Sequence, residues 1–247
     1  MTGTEPDRHA RPPQAAPSAP RDTALEQAIA SADLFALLAA AFAFPSEGTA
    51  QGIAEGAFQD DALACFHELG APEGTLAELR EALSGIKASE GGLSVGQMRK
   101  EHSFLYLVLG QDTRIFPYEG AFLHVGEGRP GPPSLFLAPR TQDVKDWMRR
   151  CGALPENADT EPVDSVSNEF DFMRQLYTNR AQALLDGDSD AADAWQQEAC
   201  AFRAEHIDTW VPQLMERTID VTRSGVYAAL ARFALLSLTT IPVAVKD

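Results

Sequence analysis

The sequence predicts an all-α fold. Apolar residues return every three or four positions along most of the chain, no stretch alternates apolar and polar residues as a half-buried strand would, and prolines fall where the periodic stretches end. The reading is a Pro/Ala-rich tail over residues 1–23, lacking apolar periodicity and expected to be disordered, and one helical domain over 24–247. The chain's 247 residues suffice for a sizeable core, and 45% apolar with 8% aromatic residues is ordinary for a globular protein.

Each element follows from its own pattern. Ile29, Leu34, Leu37, Leu38, Ala41 and Phe42 place an apolar face on a first helix that Pro45 ends. Thr75-Leu76-Ala77-Glu78 spells a capping box ahead of Leu76, Leu79, Leu83 and Ile86. Ser94-Val95-Gly96-Gln97 spells a second, ahead of a stripe of Val95, Met98, His102, Leu105 and Leu109. Phe104, Tyr106, Leu107 and Val108 widen that stripe, so this helix is predicted to be central.

Residues 110–140 then break the pattern with five prolines and five glycines, and Leu135-Phe136-Leu137 is their one strand-like scrap. So long an irregular connection points to function. Helices resume over Thr141–Arg150 and from about Ser165, where Phe170, Met173, Tyr177, Ala181 and Leu184 share a face. A further helix runs over Ala191–Trp210, which Pro212 must kink or restart, and the last covers Arg223–Leu238 with Val226, Leu230 and Phe233 inward.

Twenty basic against thirty-six acidic residues give a net charge of −16, a surface that repels phosphate backbones and excludes nucleic acid as an expected partner. No run approaches eighteen apolar residues and the N-terminus shows no secretory pattern, so no membrane insertion is expected and the predicted compartment is the cytoplasm. Cys65, Cys151 and Cys200 are odd in number and far apart, which reads as idle thiols rather than a disulfide framework or zinc knuckle.

Catalytic signatures are missing. The chain spells no GxSxG, Walker loop, strand-borne GxGxxG or HExxH. Five histidines are scattered. His102 falls on an apolar stripe and reads as a core histidine, and Glu205-His206 has no second ligand pair at helical spacing, so His206 reads as a helix-surface or packing residue. Asp60-Asp61 and Asp186, Asp188 and Asp190 read as helix-terminus and turn residues, since DGDSD lacks the closing glutamate of a calcium loop. No metal or other cofactor is expected.

Blocks in order nonetheless carry a resemblance. Glu101-His102-Ser103-Phe104-Leu105-Tyr106 is followed by Phe116-Pro117-Tyr118-Glu119, then by Asp164-Ser165-Val166-Ser167-Asn168-Glu169-Phe170-Asp171-Phe172-Met173. Phe202-Arg203-Ala204-Glu205-His206-Ile207-Asp208-Thr209-Trp210-Val211-Pro212 and Tyr227-Ala228-Ala229-Leu230 complete the set. Over roughly residues 25–240 this resembles the TorD/DmsD family of redox-enzyme maturation chaperones, related to NarJ. The resemblance implies an all-helical protein that is not an enzyme. Its implied partner is the catalytic subunit of a molybdenum oxidoreductase of the dimethyl-sulfoxide-reductase type, bound through its twin-arginine leader or body until the cofactor is inserted.

The same resemblance assigns Glu101, Leu105 and Tyr106 to a leader-binding helix and Phe116, Pro117, Tyr118 and Glu119 to the adjoining loop. It puts Asp164 and Ser165 at a hinge, and His206 and Trp210 on the helix packed nearby. Ser165 stands where the family has histidine, His102 where it has tyrosine and Gly120 where it has serine. A leader offering two guanidinium groups and an apolar run requires carboxylates at the mouth of an apolar groove. Glu119 and Asp164 would supply the carboxylates, and Leu105, Tyr106, Phe116 and Tyr118 the groove; substitution of Glu119 would then spare stability. The structural alternative has Asp164 capping the next helix and Glu119 tying down loop amides. Two further readings stay open: a small helical hydrolase or nucleotide-binding enzyme centred on Asp164, Glu119 and His206, and a permanent helical subunit of a redox complex. A monomer is expected, with residues 110–140 as the hinge of a domain-swapped dimer.

Overall fold

The computed structural model describes residues 20–88, 93–107, 115–156 and 158–242. Among them stand α1 (Pro20–Phe42), α2 (Glu47–Glu55), α3 (Ala57–Glu68), α4 (Glu73–Ser84), α5 (Val95–His102), α6 (Glu119–Gly126), α7 (Pro139–Arg150), α8 (Val166–Asp186), α9 (Ser189–Phe202), α10 (Val211–Val221) and α11 (Gly225–Thr240). No strand occurs among the described residues, and the predicted all-α class holds. The expected tail lies outside the described residues up to position 19, and α1 takes up its last part by starting at Pro20. Val108 and Leu109 of the predicted central stripe also lie outside them.

The core forms where α1 lies along α8, α8 along α9, and α11 against α4 and α10. Phe35 of α1 stacks on Tyr177 of α8 at 5.8 Å between ring centroids, and Phe172 of α8 meets Phe202 of α9 edge-on at 4.6 Å. Phe233 of α11 meets Phe58 of α3 edge-on at 5.3 Å. Such offset and edge-on pairs add stabilisation beyond their buried area. The 20-residue segment Thr23–Phe42 passes the length and composition test for crossing a membrane, against the expectation that no run would. Its packing against α8 makes it a core helix of this fold.

Several expectations are corrected. Ile29 is 41% exposed, because it sits five residues from Leu34, about 140° round the helix from the face that Leu34, Leu38 and Phe42 bury. Thr75 caps nothing: α4 has already begun at Glu73 behind Pro72, although Leu76, Leu79, Leu83 and Ile86 are all buried as predicted. Asp61 lies inside α3 rather than at a terminus. The box at Ser94 is real, with Gln97 N–H donating to Ser94 Oγ at 3.2 Å and Ser94 N–H to Gln97 Oε1 at 2.9 Å.

The irregular connection is shorter than predicted, since α6 lies inside it and α7 starts at Pro139; Leu135-Phe136-Leu137 is a bend, not a strand. Two helices also end in single π-helical turns, Ser103–Leu107 after α5 and Arg203–Ile207 after α9. The helix predicted over Ala191–Trp210 therefore stops at Phe202, turns wide to carry His206 and Ile207 inward, and restarts at Val211 with Pro212 in its first turn. Leu107 is exposed, so the α5 segment is not apolar all round.

Candidate functional site

The site is built where two helix entrances meet. Tyr118 and Ser165 form an antiparallel bridge, with Glu119 N–H donating to Asp164 O and Val166 N–H to Pro117 O, each at 2.9 Å. Pro117 has no N–H and fixes its own φ, so it suits the extended strand-like approach to α6. Ser165 caps α8 by accepting from Asn168 N–H at 3.2 Å, and Asp164 caps α6: its Oδ2 accepts from Gly120 N–H at 2.9 Å and from Thr141 Oγ1–H at 2.7 Å. Gly120 is needed by close approach, because a Cβ there would meet Ala138 Cβ at 2.9 Å and Asp164 Oδ2 at 3.2 Å. A serine at this position has no room.

Behind this frame lie three carboxylates with 0% exposure: Glu119, Asp164 and Glu169. Glu119 Oε2 pairs with His206 Nδ1 at 2.8 Å, and its Oε1 faces Arg140 Nη1 at 3.7 Å. Glu169 Oε2 accepts from Trp210 Nε1–H at 3.0 Å. Burial, reinforced by the nearby charges of Glu119 and Asp164, holds Glu169 well above the usual carboxylate range against the opposing Trp210 bond. Burial also raises Asp164, with the Gly120 and Thr141 hydrogen bonds pulling the other way, and raises the Tyr118 phenol, helped by Glu161 and Asp164.

The structure gathers Phe116, Pro117, Tyr118, Glu119, Asp164, Ser165, His206 and Trp210 into one region, Trp210 through Glu169. It leaves the other predicted residues elsewhere. Glu101 accepts from Thr222 Oγ1–H at 2.8 Å and Arg223 N–H at 2.7 Å, pinning the α10–α11 connection. Leu105 is fully buried, and Tyr106 is buried with its hydroxyl 2.8 Å from Thr218 Oγ1 and its ring against His102 and Tyr227. Neither lines an open groove. His102 is the core histidine the stripe predicts, and burial lowers it to about 4.

Glu119 and Asp164 are likewise buried rather than placed at a groove mouth, because each is consumed by internal partners: Asp164 caps the earlier helix α6 rather than the next helix, which Ser165 caps, and Glu119 binds His206 rather than loop amides. Of the two readings of His206, helix-surface or packing, the second holds: it is buried with Phe202 stacked on it. Phe116, Pro117, Tyr118 and Ser165 remain half-buried. Sequence reasoning passed over Thr141, Arg140, Asp143 and the role of Glu169. Only Glu169, already inside a family block, carried a signal that could have been used.

Beside the frame, α6, the 127–138 connection and α7 enclose an open cleft of about 800 Å³. Gly120 and Leu123 form one side, Leu137, Pro139 and Arg140 the rim, and Asp143 and Asp146 the α7 wall. Leu137 is 79% exposed, and its neighbour Phe136 is also exposed.

Fold and site together define an all-helical protein whose buried carboxylates brace an open cleft lined by apolar and charged side chains alike. The chain belongs to the nitrate reductase delta subunit family, whose model matches residues 69–216. It is 24% identical over 153 residues to the chaperone protein TorD of Aliivibrio fischeri, covering 62% of this chain and 65% of that protein. To the chaperone protein TorD of Vibrio cholerae it is 26% identical over 133 residues, covering 53% and 54%. The chain thus spans between half and two thirds of the length of these two relatives. No solved structure matches it. The resemblance read from the sequence blocks is borne out.

Proposed function

We propose that this protein is a cytoplasmic maturation chaperone rather than a catalyst. Its client would be the catalytic subunit of a molybdenum oxidoreductase of the dimethyl-sulfoxide-reductase type, held through its twin-arginine leader or its apo body until cofactor insertion. Family membership and the chaperone relatives support the class. The observation that carries the reading of the site is the cleft, where exposed Leu137 stands beside the carboxylates of Asp143 and Asp146.

A leader's guanidinium groups would meet those carboxylates while its apolar run covers Leu123 and Leu137, with Phe116, Pro117 and Tyr118 extending the rim. Glu119, Asp164, Ser165, His206 and Trp210 would act as the frame beneath it, and Glu101, Leu105 and Tyr106 as more distant support. Two or three buried leader side chains would supply about 3–9 kcal/mol before association costs, so the guanidinium–carboxylate pairs must add to apolar burial for the complex to be stable. The working form would be chiefly a monomer.

The test is affinity purification from native cells, joined to calorimetry with the client's leader peptide. A molybdenum-enzyme catalytic subunit still carrying its leader should be recovered, and Leu137→Ser should weaken peptide binding at least fivefold with an unchanged melting temperature. Stoichiometric recovery with the mature exported enzyme would instead make the chain a permanent subunit, and peptide binding indifferent to Leu137 would remove the cleft from the mechanism.

A further inference from the structure

We propose that His206, Asp143 and Glu205 form a binding site for a divalent transition metal of the zinc class, an inference that shares Asp143 with the client reading but is tested by metal uptake alone. Sequence spacing gave no such site, because the ligands come from α7 and from the π-helical turn after α9.

The imidazole is set up as a ligand. His206 is fully buried, with Phe202 stacked on it at 4.8 Å and Trp147 edge-on at 6.2 Å, so the ring has little freedom to lose on binding. Glu119 Oε2 lies 2.8 Å from Nδ1 and occupies that ring nitrogen, so Nε2 is the ring atom left to face a ligand. A carboxylate behind a histidine is the usual outer partner of a metal-bound imidazole. Nε2 itself has no hydrogen-bond partner, although it is buried.

The oxygens stand in front of it. Asp143 Oδ2 is 3.4 Å from Nε2, and the ligating atoms of Asp143, Glu205 and His206 all lie within 4.8 Å of one another. Metal bonds of about 2.1 Å in tetrahedral geometry call for ligand atoms roughly 3.4 Å apart. One pair already has that spacing, and the other contacts close by rotation of two exposed carboxylates. Charge favours a dication: Arg140, the cation at hand, is turned toward Glu119 Oε1 and donates to the backbone oxygen of Glu205 at 3.1 Å. One imidazole with two carboxylates suits zinc and its neighbours better than magnesium, and leaves a fourth position open to the cleft that Asp143 lines.

The test takes the full chain, stripped with chelator and then titrated with Zn²⁺ against a chromophoric competitor, with Co²⁺ as a spectroscopic substitute. One tight equivalent is expected, with visible ligand-field bands for Co²⁺ and no displacement by millimolar Mg²⁺. Asp143→Asn with Glu205→Gln alters only exposed side chains and should lower Zn²⁺ affinity at least thirtyfold with circular dichroism unchanged. Glu119→Gln should lower it roughly ten- to a hundredfold. Failure to take up an equivalent would leave His206 as a proton bridge between Glu119 and Asp143, and unchanged affinity in the double variant would mean adventitious binding only. Either result overturns the site.

Discussion

Asp164 caps a helix that begins well before it in the chain: its Oδ2 accepts the Gly120 N–H at 2.9 Å, across 44 residues. The bond joins the start of α6 to the turn before α8, and Thr141 adds the first turn of α7 to the same oxygen. Asp164→Ala should therefore destabilise by about 2–3 kcal/mol, the loss of a cap plus a stranded buried hydroxyl. Asp164→Asn, which keeps an acceptor, should cost less. Urea denaturation measures both, and a loss under about 0.5 kcal/mol for the alanine variant would mean that the cap is redundant.

Gly120→Ser tests the same joint by crowding it. The new Cβ falls 2.9 Å from Ala138 Cβ, so a loss of about 1–3 kcal/mol is expected. Ala138→Gly in the same chain should recover part of it; no recovery would place the strain elsewhere.

Glu119→Gln should lower the melting temperature rather than spare it. The amide oxygen can still accept from His206 Nδ1, but the bond loses its charge assistance and the ion pair with Arg140 is lost, and a cost of about 1–3 kcal/mol corresponds to several degrees for a chain this size. Differential scanning calorimetry decides, and an unmoved transition would return Glu119 to a surface role.

Two buried groups should tilt the pH dependence in opposite directions. Burial holds His102 at about 4 against a usual 6.5, among Phe42 O and the rings of Phe44, Tyr106 and Tyr227. Between those values the unfolded chain binds a proton that the folded one refuses, so stability falls on acidification, by about 3 kcal/mol in all. His102→Leu should flatten that limb of a stability profile measured from pH 6.5 to 4.

Glu169 works the other way. Its folded pKa is raised, so above the unfolded value of 4.5 the folded state keeps a proton that the unfolded state has lost, and stability drops as pH rises through that window. Glu169→Gln keeps an acceptor for Trp210 and should be more stable than the parent at pH 7, with the advantage vanishing near pH 4. A uniform offset at every pH would refute the buried-charge explanation.

Arg203 is buried and closes α11 from outside, donating to Ile241 O at 2.9 Å, to Leu238 O, and to Asp208 Oδ1 at 3.1 Å. Lysine offers no planar fork, so Arg203→Lys should cost about 2–4 kcal/mol by urea denaturation. A near-neutral result would show that α11 closes without it.

What the sequence made legible was whatever depends on neighbours in the chain. The faces of α4, α8 and α11, the box at Ser94 and the buried state of His102 all follow from spacing within a few turns. Helix α6 did not, because its eight residues include Gly120 and Gly126 and its cap comes from Asp164. The burial of Glu119 did not either, because its partner His206 lies 87 residues away, carried inward by a wide turn that no local pattern announces. The blocks of the family resemblance marked the right region; they could not tell frame from opening.

The pairing of Tyr118 with Ser165 has a mechanical consequence. The entrances of α6 and α8 are fastened back to back by the Glu119 and Val166 amides, and α1 rests along α8. A load that lifts the rim must release both amides together and pull on the innermost helix pair. Rim and core are thus wired in series: deuterium should enter at Glu119 and Val166 in step, and a weight hung on the cleft is borne by the central helix pair, not by the surface.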